Sequence, residues 1–133
     1  MAVKYDINEG GFVQDLAAGG ANIEFRVKGP IENPDLDVIA APTYTSAGFV
    51  ISTATLSVLD GQVGSFKVEV RSADADGANE VTHLSQTVSI PSAGAYGQAL
   101  TVSTASIGSS KVIKLYTEYV SGDISSDISV TLE

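Results

Sequence analysis

Residues 66–71, Phe66-Lys67-Val68-Glu69-Val70-Arg71, alternate without exception between an apolar and a charged side chain. That is the period of a strand with one face buried and the other wet. Ile23-Glu24-Phe25-Arg26-Val27-Lys28 repeats the pattern, and near the C-terminus Ile128, Val130 and Leu132 alternate with Ser129, Thr131 and Glu133. In residues 111–120, KVIKLYTEYV, Ile113, Leu115 and Tyr119 fall on one face and Lys114, Tyr116 and Glu118 on the other. Further strands are expected near residues 2–7, 49–58, 80–90 and 98–107, which are rich in β-branched side chains and bounded by turn formers. Within 49–58 the apolar phase moves from Phe49 and Ile51 to Leu56 and Val58, so a bulge or bend is expected there. About eight antiparallel strands result, which predicts an all-β chain folded as a single β-sandwich, jelly-roll-like or immunoglobulin-like. Helix finds one short candidate, residues 11–18, where Phe12 and Leu16 share a side until Gly19-Gly20 ends the run.

Turn formers punctuate the strands. Asp60-Gly61, Asp76-Gly77, Pro91-Ser92-Ala93-Gly94 and Gly108-Ser109-Ser110 each mark a join between successive strands, and Ser121-Gly122-Asp123 leads into the last one. Residues 29–48 break the rhythm: Pro30, Pro34 and Pro42 argue against a central strand, so this proline-rich segment reads as a long extended crossover or a surface loop. Residues 1–20 read as an extended N-terminal arm, although Val3, Tyr5 and Ile7 fit an edge strand of the sandwich equally well. The 133 residues are assigned to one domain, long enough to bury a core without covalent staples.

Composition narrows the function classes. With 44% hydrophobic and 17% charged residues, the chain has the apolar surface needed to offset conformational entropy. The absence of cysteine excludes disulfides, thiolate metal sites and cysteine nucleophiles. The first residues show neither the apolar run nor the cleavage pattern of a signal peptide, and no stretch approaches a membrane-spanning length. Sixteen acidic against seven basic residues give a formal charge of −9, which repels phosphate backbones and anionic lipid, so neither nucleic acid nor membrane is expected as a partner. Ala, Gly, Ser and Thr dominate the second half of the chain, and Lys-poor strands of this kind pair or pack with other subunits.

Candidate chemistry is sparse. The densest acidic run is Asp74, Asp76 and Glu80, with Asn79 among them. An EF-hand needs a bidentate Glu six positions after its glycine, whereas Glu80 follows Gly77 by three, and no helix flanks the loop. A looser calcium site from Asp74, Asp76 and Glu80 competes with a plain hairpin turn, and Asp-Gly favours the turn. His83 is the single histidine; with Leu84, Val88 and Ile90 assigned to the core face, it is expected beside Val81 on the opposite face, as a surface or interface residue. One histidine builds neither a zinc site nor a catalytic triad. Nucleophile-elbow, phosphate-loop and dinucleotide motifs are all missing, and carboxylate pairs are too numerous to nominate one for glycoside hydrolysis. No catalytic residue, metal or cofactor is nominated, and the chain reads as non-enzymatic. A sugar-binding platform, lacking tryptophan, would rest on its five tyrosines.

Ser92-Ala93-Gly94-Ala95-Tyr96 resembles the corner of immunoglobulin-like sandwiches in which a tyrosine hydroxyl bonds back to the preceding backbone. Together with Pro91 it is equally similar to the Pro-x-x-Gly-x-Tyr turn of small trimeric jelly rolls. Two strands are expected after it, one more than an immunoglobulin topology leaves, which favours the jelly roll. In architecture and composition over its whole length, the chain resembles the small β-sandwich decoration, or cement, proteins of tailed bacteriophage heads. That resemblance implies a virion structural protein on the outer surface of the capsid, binding and reinforcing a lattice of major capsid protein, and a homo-oligomer with a trimer favoured. Residues 1–20 and 29–48 would then reach neighbouring subunits through Val3, Tyr5, Ile7, Phe12, Ile39 and Tyr44. A phage tail or fibre component, or a module binding carbohydrate or a cell surface, is the alternative.

Overall fold

The computed structural model describes residues 3–5, 14–16, 22–28, 30–38, 42–124 and 127–133, which contain thirteen strands and no helix. At the centre lie β8 (Gly64–Ala73) and β12 (Lys111–Gly122), antiparallel over nearly their whole lengths. Their alternation does what its period requires. Phe66, Val68 and Val70 on β8 and Ile113, Leu115 and Thr117 on β12 turn inward and are fully buried, while Lys67, Glu69 and Arg71 face outward opposite Glu118, Tyr116 and Lys114. On one side of this pair sits β9 (Val81–Ile90), joined to β8 by a hairpin; on the other sit β4 (Asp37–Val38) and β5 (Thr43–Thr45), which both pair with β12.

A second, four-stranded sheet runs in the order β10 (Gly94–Leu100), β7 (Ala54–Gly61), β13 (Ile128–Leu132) and β3 (Ile23–Val27). Its inward side chains, among them Phe25, Leu56, Val130 and Leu132, pack with Phe66, Leu84 and Leu115 of the first sheet in one continuous core. A short ribbon of β6 (Phe49–Val50) and β11 (Ser106–Ile107) lies beside them.

The pairing is nested. β8 pairs with β9, β7 with β10, β5 with β12 and β3 with β13, each antiparallel, so the eight principal strands form one long hairpin rolled into two facing sheets. This is the wiring of a jelly roll. The chain is therefore an all-β sandwich, and of the two topologies open to the sequence it adopts the rolled one.

Several local expectations are corrected. Residues 14–16, inside the expected helical turn, form strand β2 (Gln14–Leu16), which pairs with β1 (Val3–Tyr5) and runs parallel to β5. A run too short to sustain helix gains more from ladder hydrogen bonds in a sheet. The described parts of the N-terminal arm thus lie on the chain's own seven-stranded sheet, the edge-strand placement; the expected interface residues Ile7, Phe12 and Ile39 lie outside the described residues. Thr43–Thr45 is an interior strand, flanked by β2 and β12, despite the prolines around it. Pro42 is compatible because it precedes the strand and owes no ladder donor. Segment 49–58 is broken rather than bent: β6 joins the ribbon, Ile51 enters the core, and β7 begins at Ala54. Segment 98–107 is likewise split between β10 and β11. Asp60 and Gly61 end β7, and the next strand belongs to the other sheet, so they serve a crossing between sheets rather than a hairpin.

Two glycines with positive φ test how tightly the turns are built. At Gly122 (φ 77°) a Cβ would collide with Gly64 Cα and the Val63 carbonyl, whereas at Gly77 (φ 90°) it would meet open space. Gly77→Ala is expected to cost about 1–2 kcal/mol through backbone strain alone. Gly122→Ala should cost about 3 kcal/mol or more, because the β12 and β8 backbones must also separate. Urea denaturation of the two variants measures the difference.

Candidate functional site

The acidic run is a hairpin turn. Asp74 N–H donates to Ala78 O, Gly77 N–H donates to Asp74 O, and Gly77 and Asn79 both take positive φ. Each carboxylate has a protein partner of its own. Asp74 accepts from Asn79 Nδ2 at 2.6 Å and pairs with Lys111; Asp76 Oδ1 accepts from the Ala78 N–H at 3.0 Å; Glu80 pairs with Arg71 at 3.0 Å and lies 3.3 Å from the Tyr116 hydroxyl. Asp74, Asp76 and Glu80 therefore point to three separate sets of partners, and no group of three potential metal ligands converges among the described residues.

Glu80 belongs instead to a charge network across the outer face of the seven-stranded sheet. Glu69, only 5% exposed, accepts from Lys67 at 3.0 Å and Arg71 at 2.8 Å, and the Arg71 guanidinium sits 4.6 Å above the Tyr116 ring. Burial by itself would raise the Glu69 pKa, but the hydrogen bonds and charges of Lys67 and Arg71 outweigh it and hold the carboxyl below its ordinary range. The hydrogen bonds from Lys111 and Asn79 lower Asp74 in the same direction, while burial and the Glu80 charge raise Tyr116.

His83 is not on the surface. It is 1% exposed, because β9 carries a bulge: Val70 pairs with Leu84 but the next residue, Arg71, pairs with Thr82. The extra residue is His83, and the bulge turns it and Leu84 to the same inner face. Two phases are visible in the sequence itself, Val81 and His83 before the slip and Leu84, Val88 and Ile90 after it. The ring is held at both ends. Nδ1 lies 2.7 Å from Thr104 O, and since a carbonyl only accepts, Nδ1 carries the proton; Nε2 then accepts from the Ser72 hydroxyl at 2.6 Å. A serine hydroxyl on a histidine Nε2 is the contact used to activate nucleophiles. Here Ser72 is 3% exposed and lies with His83 in the core.

Of the remaining expected interface residues, Val3 and Tyr5 lie on β1, and Tyr44 is half-buried opposite Val112 on the outer face of the sheet. The Tyr96 hydroxyl donates to the Gln98 side chain at 2.8 Å rather than to preceding backbone; the tyrosine that reaches backbone is Tyr119, on Gly122 O at 2.8 Å.

Sequence periodicity gave no warning of the exposed aliphatic side chains at the end of the sandwich where β7 crosses to β8 and β12 turns toward β13. Leu59 is 76% exposed, Val63 61% and Val120 49%. Val120 is pushed out by a second bulge, between Tyr119 and Ser121. Beside Leu59, the outer face of the four-stranded sheet holds a groove of about 730 Å³ lined by Arg26, Lys28, Ser57, Leu59, Asp127 and Ser129, among others. Arg26 is bound to Glu24 at 2.6 Å.

No protein-family model and no curated protein matches the chain. Among solved structures it is similar to the Eiger TNF of S. frugiperda, at 10% identity over 84% of this chain and 92% of that one, with a TM-score of 0.32. A likeness of that degree carries no functional argument.

Two predictions follow from the polar clusters. The folded pKa values of Glu69 and Asp74 lie below their unfolded ones, so the stability they contribute is complete above the unfolded range, about 4, and is lost as pH falls through the folded values. The urea midpoint is expected to be flat from about pH 7 to 5 and to fall below about pH 4. Glu69→Gln should lower stability by about 1–2 kcal/mol at pH 7 and flatten that acid limb. Separately, His83→Ala is expected to cost about 2–4 kcal/mol by orphaning the Ser72 hydroxyl and Thr104 carbonyl and leaving a cavity. In a double-mutant cycle, Ser72→Ala should recover part of that loss.

Proposed function

We propose that the chain is a non-enzymatic structural protein of a virion, a capsid decoration protein that binds the outer surface of a major capsid lattice. The observation that carries this reading is the exposure of Leu59, Val63 and Val120, three of the five large hydrophobic side chains exposed among the described residues, all near the end of the sandwich where β7 crosses to β8; Val50 and Val81 are exposed elsewhere. Two further features support it. The Ser72–His83 pair is inaccessible, and the carboxylates of the acidic turn are engaged with protein groups. Jelly rolls recur in capsid and lectin domains, which is an analogy of fold. In this reading the end with Leu59, Val63 and Val120 docks on capsid subunits, with the β1–β2 hairpin carrying Val3 and Tyr5 as a second contact.

A second reading, a module for carbohydrate or a cell-surface ligand, or a tail or fibre component using such a module, is favoured by the groove at Arg26, Lys28 and Asp127. None of the lining side chains is aromatic, so a glycan there would lack the stacking platform that such sites commonly use.

The test is co-sedimentation of the purified protein with capsids of the phage that encodes it, stripped of accessory proteins. Binding is expected to saturate, and Leu59→Glu with Val63→Glu should weaken it at least tenfold while leaving the melting temperature within a few degrees. Failure to co-sediment, together with specific retention on a glycan array, would replace the decoration reading with the second one.

A further inference from the structure

Residues 81–110 contain no Asp, Glu, Lys or Arg, although such residues make up 17% of the chain and a stretch of this length would ordinarily carry several. The fold places this stretch on one flank. β9 ends the seven-stranded sheet and β10 ends the four-stranded sheet, and Pro91-Ser92-Ala93 connects them. The gap between the two sheets is closed near the bulge by the loop after β10: Gln86 Oε1 accepts from Thr101 N–H at 2.9 Å, and the His83 carbonyl accepts from Ser103 N–H at 2.8 Å. Beyond that loop, β8 is the only ladder partner of β9 among the described residues. Thr87 and Ser89 on β9 and Ala95, Gly97 and Ala99 on β10 are all exposed.

The two sheet edges on the opposite flank are different. β3 presents Glu24 and Arg26 outward, and β1 contains Lys4. Charges on edge strands are the usual protection against pairing with another chain, because an edge offers a row of unpaired N–H and C=O groups to any strand that reaches it. One flank of the sandwich is protected in this way and the other is not.

We infer that the β9–β10 flank is the surface through which a second copy of this chain binds, edge to edge. The inference rests on the assembly role proposed above and supplies its homo-oligomeric contact. Charge selects the occupant. Two copies of net charge −9 repel wherever their carboxylates approach, and on this flank they bring none together and bury no unpaired charge. A partner of opposite sign would gain no electrostatic complementarity here and would be drawn instead to the acidic surface elsewhere. Backbone edge groups, by contrast, are complementary to those of an identical strand.

Sedimentation velocity of the full chain over a range of concentrations, with two variants, tests this. The unmodified chain is expected to form a discrete oligomer. Thr87→Lys with Ala99→Lys, which sets like charges against each other across the contact, should raise the dissociation constant at least tenfold and yield a monomer with an unchanged far-ultraviolet spectrum. Asn22→Lys, on the opposite flank, should leave the oligomer intact. A chain that stays monomeric at every concentration, or an oligomer indifferent to both flank lysines, overturns the inference. Should the double variant not fold, hydrogen exchange of the unmodified chain decides: β9 amides must gain protection as concentration rises, and protection independent of concentration overturns it. Capsid co-sedimentation is read separately. A monomer that still binds capsids leaves the decoration reading standing and removes only this contact, whereas an oligomer that binds none does the reverse.

Discussion

Everything else in the molecule hangs on the antiparallel ladder between β8 and β12. These two strands are the longest pair in register, and their strict two-residue period assigns each side chain to one of two environments. Slipping the register by one residue would drive Lys67, Glu69 and Arg71 into the core and expose Phe66, Val68 and Val70. Burying three uncompensated charges is far costlier than any alternative pairing could repay, so the ladder has a single register. Once it is fixed, the hairpin to β9 follows on one side and the β4 and β5 pairings on the other. The inward face then requires a second apolar sheet, which β3, β7, β10 and β13 supply.

The bulge in β9 brings the one histidine into that core, and its consequences reach beyond a single residue. Turning His83 inward gives the ring partners on two different segments, Ser72 on β8 and Thr104 in the loop after β10. The His83 carbonyl at the same bulge binds the loop backbone at Ser103 and Thr104. A single extra residue therefore ties the edge of one sheet to the segment leaving the edge of the other. Buried polar groups of this kind are tolerable only when fully satisfied, and here both ring nitrogens and the carbonyl are. The network joins the two sheets near the bulge.

What the sequence revealed and what it concealed divide along the same line. Alternation located the long strands, since Phe66 to Arg71 and Ile23 to Lys28 each carry their own burial pattern regardless of partners. The short strands had no such internal pattern. Thr43–Thr45 and Gln14–Leu16 are strands because a neighbour offers them a ladder, which is information held by the whole fold. His83 is hidden for a related reason: extending the phase of Leu84, Val88 and Ile90 backward puts it outside, because it passes through a slip that sequence spacing records but does not mark as a bulge. The exposure of Leu59 and Val63 is not legible in the sequence, because hydrophobic residues near a strand end read as core until the chain's change of sheet is known. Asp74, Asp76 and Glu80 were legible as a turn, since Asp-Gly and the Asx contacts are local chemistry.

Charge placement then explains why a chain with so many acids has such a quiet interior. Four of the seven bases, Lys67, Arg71, Lys111 and Lys114, lie on the outer face or hairpin end of the seven-stranded sheet, and three of them are paired with Glu69, Glu80 or Asp74. Neutralising those carboxylates locally lets the central strands keep charged outer faces without mutual repulsion. Residues 81–110 carry no acid at all. A molecule arranged in this way has three chemically distinct exteriors: a paired, polar sheet face, an end where Leu59, Val63 and Val120 are exposed, and an uncharged flank. The Ser72–His83 contact, sealed inside, belongs to none of the three.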